Sequence, residues 1–510
     1  MTTTIAPLAE WTALHPAALA WMEGAVAAGP TGPARPPRSR TLATALAATN
    51  RRWGNPVDTD LEAWLGGAET VVAGQQPGLA GGPLLTLVKA CAVAAEVARR
   101  RAAGAPAVGF LWLATSDDDL PEMRWARVPV GEELMTVREE GWERGAALGG
   151  LALVGGAVEA LLSRLQDAYP QALAAPVIAL ARDCFAPGTA LGEACGRFLG
   201  RLVAGLGVVL VDSLEPELAR AGREVVQRAL QRLPAVHEAL AANRDRFATR
   251  GWSVPIKVNL GRLPVFRREG VRREPLAARA GCCPDEVLAA HAATPEAFVP
   301  NVWLRPLVAD EVLDTHTSIL GGAELAYHLQ AQAGWDIVGV GRPHWRLRPH
   351  VTVLTAAERR LARQLGLAPA DLLRPSPPRS ALPGGRLARR LTRLGSRVET
   401  ELAAFVAAAR DELPGAAGDA EATLKRVQGS LAWLEERLHA AALRASETGA
   451  GRWRRLRAFV RPDGHPQERH LSVLAPLLRL GLEWPAQLTA ALDPRHPGMQ
   501  LLGWEEGGSW

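Results

Sequence analysis

Residues 71–100, VVAGQQPGLAGGPLLTLVKACAVAAEVARR, constrain this chain more than any other stretch. Two β-branched residues open the segment, and a Gly/Gln/Pro turn (Gly74, Gln75, Gln76, Pro77, Gly78) follows. Gly81 and Gly82 then lead through Pro83 into a helical pattern whose broad apolar face carries Leu84, Leu85, Leu87, Val88, Cys91 and Ala95. Pro83 stands where a first-turn proline would, its missing N–H costing nothing there. A second strand-like run, residues 108–114 (VGFLWLA), comes next. Strand, helix and strand within about 45 residues make a βαβ unit, and such a unit requires a parallel sheet. N–H groups at the start of the helix could hold an anion, with Lys89 about two turns in. The spacing is neither a Walker A motif nor a Rossmann fingerprint. A plain βα turn, with glycines for packing, is the competing reading.

The chain has 510 residues, enough for two to four domains, with 48% hydrophobic and 22% charged residues. Net charge is +5 and arginine carries nearly all of the positive side. Arginine favours bidentate contacts with carboxylates and phosphates, so an anionic substrate fits and nucleic acid is not demanded. Five scattered cysteines, Cys91, Cys184, Cys195, Cys282 and Cys283, have no zinc spacing and form no CxxC, which suits a reduced cytoplasm. The N-terminus lacks the basic and apolar regions of a signal peptide. No apolar run approaches the ~20 residues of a membrane span, and the best, residues 202–211, reads as a buried strand.

Residues 1–28 read as helical, and 29–40 as a Pro/Gly/Arg connector. Thr115-Ser116-Asp117-Asp118-Asp119 closes the second strand, at the strand end where α/β proteins place ligands; a helix cap there is the alternative. Residues 124–190 form an insert, with a strand pair at 128–137 and helices at 158–169 and 176–184. A strand ending in Asp212 and a helix over 216–230 renew the α/β pattern. Residues 231–298 form a second insert, with a hairpin turning at Gly261-Arg262 and a helix over 284–292. Its arginines, Arg267, Arg268, Arg272 and Arg273, read as a solvated face. Leu320-Gly321-Gly322 opens a helix on which Glu324, Tyr327 and His328 share a face. Tyr327 is one of two tyrosines, which points to use of its hydroxyl, against the plainer reading of a half-buried ring. Residues 375–385 mark a boundary. Beyond it, Leu387, Leu391, Leu394, Val398, Leu402, Phe405 and Ala409 repeat at three and four, and so do Leu424, Val427, Leu431, Leu434 and Leu438. Two long helices joined by a Pro/Gly turn make an antiparallel hairpin with coiled-coil character. A helix over 471–480 lies in the tail.

No HExxH, GxSxG, kinase or zinc pattern occurs. The ordered blocks GQQPGL with Lys89, FLWLATSDDD, GVVLVDSLEPEL, PNVWLRPL with Asp310, GGAELAYHLQ and PQER resemble the cysteine-adding enzymes of bacillithiol biosynthesis, the BshC family, from about residue 70 to the C-terminus. The resemblance implies an α/β fold: a Rossmann-like parallel-sheet core with two connecting inserts (residues 1–372), a linker (373–385) and an α-helical antiparallel coiled-coil domain with the tail (386–510). It also implies a ligase forming an amide between L-cysteine and the amine of glucosaminyl-malate, in the cytoplasm, as a homodimer through the helical domain. The synthetase-like core makes ATP the candidate cosubstrate and Mg²⁺ its candidate companion; no metal site is assigned. By position, Gln75, Gln76, Lys89, Asp117, Asp119, Glu324 and Tyr327 are the candidate catalytic residues. Gly74, Gly78, Asn301, Arg305 and Gln330 are the candidate substrate-binding residues. Asp117 or Asp119 could take the substrate ammonium or Mg²⁺, and Arg305 a carboxylate of the aglycone. The chain departs from the family where its strand-end histidine is Asp118 and its glutamate is Ser116. The alternatives are a synthetase-like ligase or nucleotidyltransferase relative acting on another amino-sugar acceptor, or a non-catalytic RNA-binding relative. The spread of the arginines and the lack of aromatic-basic interleaving argue against RNA.

Overall fold

The VGFLWL run is buried on both faces, as a central strand of a parallel sheet must be. The computed structural model describes residues 2–6, 14–26, 29–30, 37–143, 145–257, 259–365, 367, 369–374, 385–445, 447–496 and 498–503. Its organising unit is β1 (Glu69–Gln75), α1 (Leu85–Ala102) and β2 (Ala107–Leu113). β3 (Val208–Asp212), α2 (Leu304–Val312), β4 (Thr315–Leu320), α3 (Gly322–Ala331) and β5 (His344–Leu347) complete the core. The five strands lie in the order β5-β4-β1-β2-β3, all parallel. Strands run outward from β1 in both directions, so the order reverses between β1 and β4. Open α/β sheets bind ligands at that switch point, outside the carboxyl ends of the strands.

Apolar cores cover both faces of the sheet. α1 lies so close to β2 that a Cβ on Gly109 would come within 2.5 Å of Val93 Cγ1. Gly82, at φ 77 and ψ −166, takes a backbone conformation open to glycine alone and turns the chain into α1. That turn is sewn to the far end of the chain: Leu84 N–H donates to Leu471 O at 2.7 Å and Ser472 Oγ donates to Ala80 O at 3.2 Å.

Both inserts are present, with local differences from the sequence reading. The first holds the hairpin Trp125–Val130/Glu133–Arg138 and the helices Ala157–Ala168 and Gln171–Cys184. The second holds a long helix, Leu233–Thr249, and its hairpin pairs Arg262–Glu269 with Arg272–Ala277. The turn is therefore at Gly270-Val271, where Gly270 takes φ 60, and not at Gly261-Arg262. Residues 216–230 are two helices, Pro216–Ala221 and Arg223–Gln231, broken at Gly222, where a Cβ would press within 2.9 Å of Val308 Cγ1. Residues 202 and 203 end a helix, Leu191–Val203, and the buried strand begins only at Val208. The tail helix begins at Leu474, three residues later than its apolar pattern.

The N-terminus differs most. Thr2–Ala6 is a strand antiparallel to Met499–Gly503, which runs parallel to His350–Leu354. The β-branched TTTI run has the local preference for a strand, but its partner sits at the other end of the chain. The helix there is only Pro16–Met22, and Trp11 lies outside the described residues. Beyond the linker, whose residues 375–384 also lie outside, α4 (Gly385–Glu412) and α5 (Ala417–Ala445) form the expected hairpin across Pro414–Ala416. The chain then returns to the core, and α6 (Gln467–His470) reaches the carboxyl edge of the sheet.

Candidate active site

A cleft of about 590 Å³ opens at that edge, lined from β1, α1, the β2 loop, α2, α3, the second insert and α6. Lys89 is a buried cation of the cleft. Its side chain is 3% exposed, and its Nζ donates to Gly74 O at 2.6 Å and Glu324 Oε2 at 2.7 Å. Gly321 caps the start of α3 and its N–H donates to the same Glu324 oxygen at 2.6 Å, so one carboxylate caps the helix and holds the lysine. Burial lowers the Lys89 pKa, with Glu324 opposing. Burial works to raise the Glu324 carboxyl, but Lys89, the Gly321 N–H and Arg305 outweigh it and hold it below its ordinary value.

Asn301 Oδ1 accepts the N–H groups of Trp303 and Leu304, both at 3.2 Å, and so starts α2 and fixes Arg305 in its first turn. Arg305 Nη2 donates to the Tyr327 hydroxyl at 2.8 Å. A Cβ on Gly74 would meet Arg305 Nη1 at 3.3 Å, so a larger residue at 74 would crowd the guanidinium. Burial pushes the Tyr327 hydroxyl up to about 12, with Arg305 opposing. His328, expected on the same face, is buried behind the tyrosine, stacked on its ring at 4.8 Å and bonded through Nδ1 to Glu324 O. Burial lowers its pKa to about 4, so it is a neutral packing residue.

The opposite lip is acidic. Gln76 Nε2 donates to Asp117 Oδ2 at 2.5 Å, and Asp117 Oδ1 accepts the Asp118 N–H at 2.9 Å. Asp119 has its pKa raised, first by burial and then by Glu122 and Asp117, with Gln76 opposing. Gln75 lines the cleft from the end of β1.

Ten of the twelve candidate residues line this one cleft, and two do not. Gly78 lies beneath the glycine loop, where a Cβ would come within 2.7 Å of Gly82 Cα and its carbonyl accepts the Cys195 thiol at 3.0 Å. Gln330 is fully buried and clamps the backbone of the second insert: its Oε1 accepts Ile256 N–H at 2.8 Å and its Nε2 donates to Ile256 O at 2.9 Å.

Three lining arginines were not singled out from sequence. Arg348 is fully buried, and its two Nη groups grip Glu468 at 2.9 and 2.6 Å; its Nε has no partner among the described residues. Glu468 also accepts from His350 Nδ1 at 2.9 Å, and its neighbour Arg469 lines the cleft. The PQER block was the only signal for this group. Arg273, read as part of a solvated face, is 8% exposed and pairs with Asp118 at 2.5 Å. Arg267 and Arg272 are exposed, as that reading expects.

The cleft thus separates charge. Asp117, Asp118, Asp119 and Glu122 lie on one short segment, and Arg305, Arg348 and Arg469 come from three others. Such a cleft suits a small molecule with an ammonium at one end and carboxylates at the other. The glycine loop is a poor phosphate cradle. Gly82 N–H is bonded to Leu79 O, Leu84 N–H to Leu471 O, and Lys89 to Gly74 and Glu324. No cluster of three or more His, Cys, Asp or Glu side chains suits a metal among the described residues.

Residues 31–349 match the family model for the N-terminal Rossmann-like domain of BshC, of bacillithiol biosynthesis, and residues 402–504 match its C-terminal coiled-coil domain. Relatives carry the printed name "Putative cysteine ligase BshC". That of Koribacter versatilis is 30% identical over 58% of this chain, and the match spans 57% of the relative's length. That of Solibacter usitatus is 27% identical over 84% of this chain and 83% of its own, and that of Salinibacter ruber 26% over 92% and 89%.

Proposed function

This chain belongs to the BshC family of bacillithiol biosynthesis, and on that premise we propose that it is a cysteine ligase joining L-cysteine to the amine of glucosaminyl-malate. The observation that carries this reading is the charge-separated cleft at the strand switch point. Amide formation needs a deprotonated amine and a fixed acyl carbon. Asp119, with its raised pKa, is suited to take the proton from the acceptor ammonium. Gln76 holds Asp117 beside it as a fixed acceptor for the amine. Arg305 and Arg469 are placed for carboxylates, which arginine binds well, while Arg348 is held by Glu468 and offers only its Nε. Lys89 and Glu324 keep the floor rigid, so that the reacting atoms meet in one arrangement.

ATP would supply an activated carboxyl group, with Mg²⁺ entering on its phosphates. The Gly82 and Leu84 N–H groups at the helix entry and Lys89 are already committed within the protein, so the residues there do not fit a phosphate site. No step here depends on one. The test is incubation with glucosaminyl-malate, L-cysteine and ATP, with mass spectrometry for bacillithiol and an active relative in parallel. A product only from the relative would defeat the assignment.

A second reading, a different amino-sugar acceptor, is favoured by the Asp118–Arg273 pair on the lip. A panel of aglycones in the same assay separates the two. We also assign the protein to the cytoplasm, where its five free cysteines stay reduced. No described helix is long and apolar enough to cross a membrane. A homodimer through the helical hairpin would cover Leu394, Phe405, Trp433 and Leu434, which are exposed on it. Light scattering on the full chain and on a Phe405→Glu/Trp433→Glu variant tests this: a dimer for the first and a monomer for the second.

A further inference from the structure

The second insert reaches the cleft through Phe266 and the buried side chain of Arg273. Arg273 is 8% exposed, while Arg272, one residue away, is 72% exposed. Its guanidinium carbon lies 4.7 Å from the Phe266 ring centroid, on the paired strand of the same hairpin. One Nη donates to Ser116 O at 2.6 Å, and the other pairs with Asp118 Oδ1 at 2.5 Å. The two Nη groups hold two different acceptors at once, a fork that lysine cannot reproduce. The backbone runs a parallel route: Arg273 N–H donates to Gly145 O at 3.1 Å and Ala147 N–H to Val271 O at 2.7 Å. From that segment, Leu148 N–H donates to Asp117 O and Gly149 N–H to Thr115 O, at 2.7 and 2.8 Å. Insert, connecting loop and acidic lip are therefore bonded to one another through both side chain and backbone.

A buried arginine is costly unless it is well bonded; here both Nη groups go to the lip, and Nε has no partner among the described residues. Three consecutive aspartates repel one another and would splay. Arg273 neutralises the middle one and pins the preceding carbonyl, which leaves Asp117 to Gln76 and turns Asp119 toward the cleft.

We propose that Arg273 is a positioning residue of the active site, acting through Asp118 and Ser116 to fix the acidic lip. The inference rests on the ligase reading for its kinetic consequence, but not for its structural one. The experiment compares Arg273→Met, Arg273→Lys, Asp118→Asn and the Arg273→Met/Asp118→Asn double variant by amide hydrogen exchange, melting temperature, and kcat and KM. Faster exchange at Leu148 and Gly149 is expected in Arg273→Met, with distant helices unchanged. The expected kcat is about 10- to 100-fold lower, the cost of roughly a 1 Å misplacement, with KM moving less than about threefold. Arg273→Lys should be intermediate, and Asp118→Asn should add less than about twofold once Arg273 is gone. Unchanged exchange overturns the proposal, as does an Asp118→Asn effect of equal size in both backgrounds. If the unaltered protein makes no product with any acceptor, the ligase reading falls, and the exchange data alone decide whether Arg273 fixes the lip.

Discussion

The floor and the lip of the cleft are built in opposite ways. The floor consists of the pairs Lys89–Glu324, Arg305–Tyr327 and Arg348–Glu468, which join residues 235, 22 and 120 positions apart. It is buried; two of its pairs are opposite charges committed to each other, and Arg305 is held by a neutral hydroxyl. The lip is four neighbouring acids, exposed or half-buried, with one amide and one arginine holding two of them. On the ligase reading, the floor orients the substrate and Asp119 on the lip, whose pKa burial raises, takes the proton.

The largest effect should come from breaking the floor. Lys89→Met strands Glu324 without its cation, and removing one partner of a buried pair costs about 3–5 kcal/mol. Urea denaturation should show that loss together with loss of turnover; an unchanged midpoint would mean the floor is not held by this pair. Gln76→Ala, and with it Gln75→Ala, should abolish turnover while the melting temperature moves less than about 2 °C, because each loses little packing. A large stability loss would make the loop a packing device.

Gln330→Ala is the converse control. It removes two buried hydrogen bonds to Ile256, which should destabilise by about 1–3 kcal/mol while kcat stays within about threefold. Steady-state kinetics on the folded fraction checks it.

The smallest effect separates floor from lip by sign. The Asp119 pKa is raised in the folded state, so its contribution to stability is present below the ordinary aspartate value of about 3.9 and is lost as pH rises through the folded value. Asp119→Asn should therefore melt slightly above the unaltered protein at pH 7, with the difference shrinking toward pH 4. Glu324 has the opposite sign: its pKa is lowered, so its stabilisation is present above about pH 4.3 and lost as pH falls through the folded value. Melting curves from pH 3 to 8 read both.

Much of this was legible in local pattern. The apolar run of β2, the glycine loop and the leucine repeats of α4 and α5 each encode their element within one segment. The candidate residues at the strand ends meet because a parallel sheet gathers its carboxyl ends on one edge. The misses share a cause. The Thr2–Ala6 strand has its partner near residue 500, and no local pattern identifies one that distant. Arg273 looks in sequence like its exposed neighbours, and only the observed hairpin register buries it. Gln330 matched a family block, yet its amide proved to serve the insert.

The sequence by itself determined the alternation of strand and helix and the helical arm, because periodicity and turn residues act over a few positions. Only the tertiary structure decided which charges are committed. Whether a lysine meets a phosphate or a glutamate depends on which distant carboxylate is brought within about 3 Å, where burial strengthens the pairing. Chain closure alone supplied Glu324 to Lys89, Glu468 to Arg348 and Arg273 to Asp118.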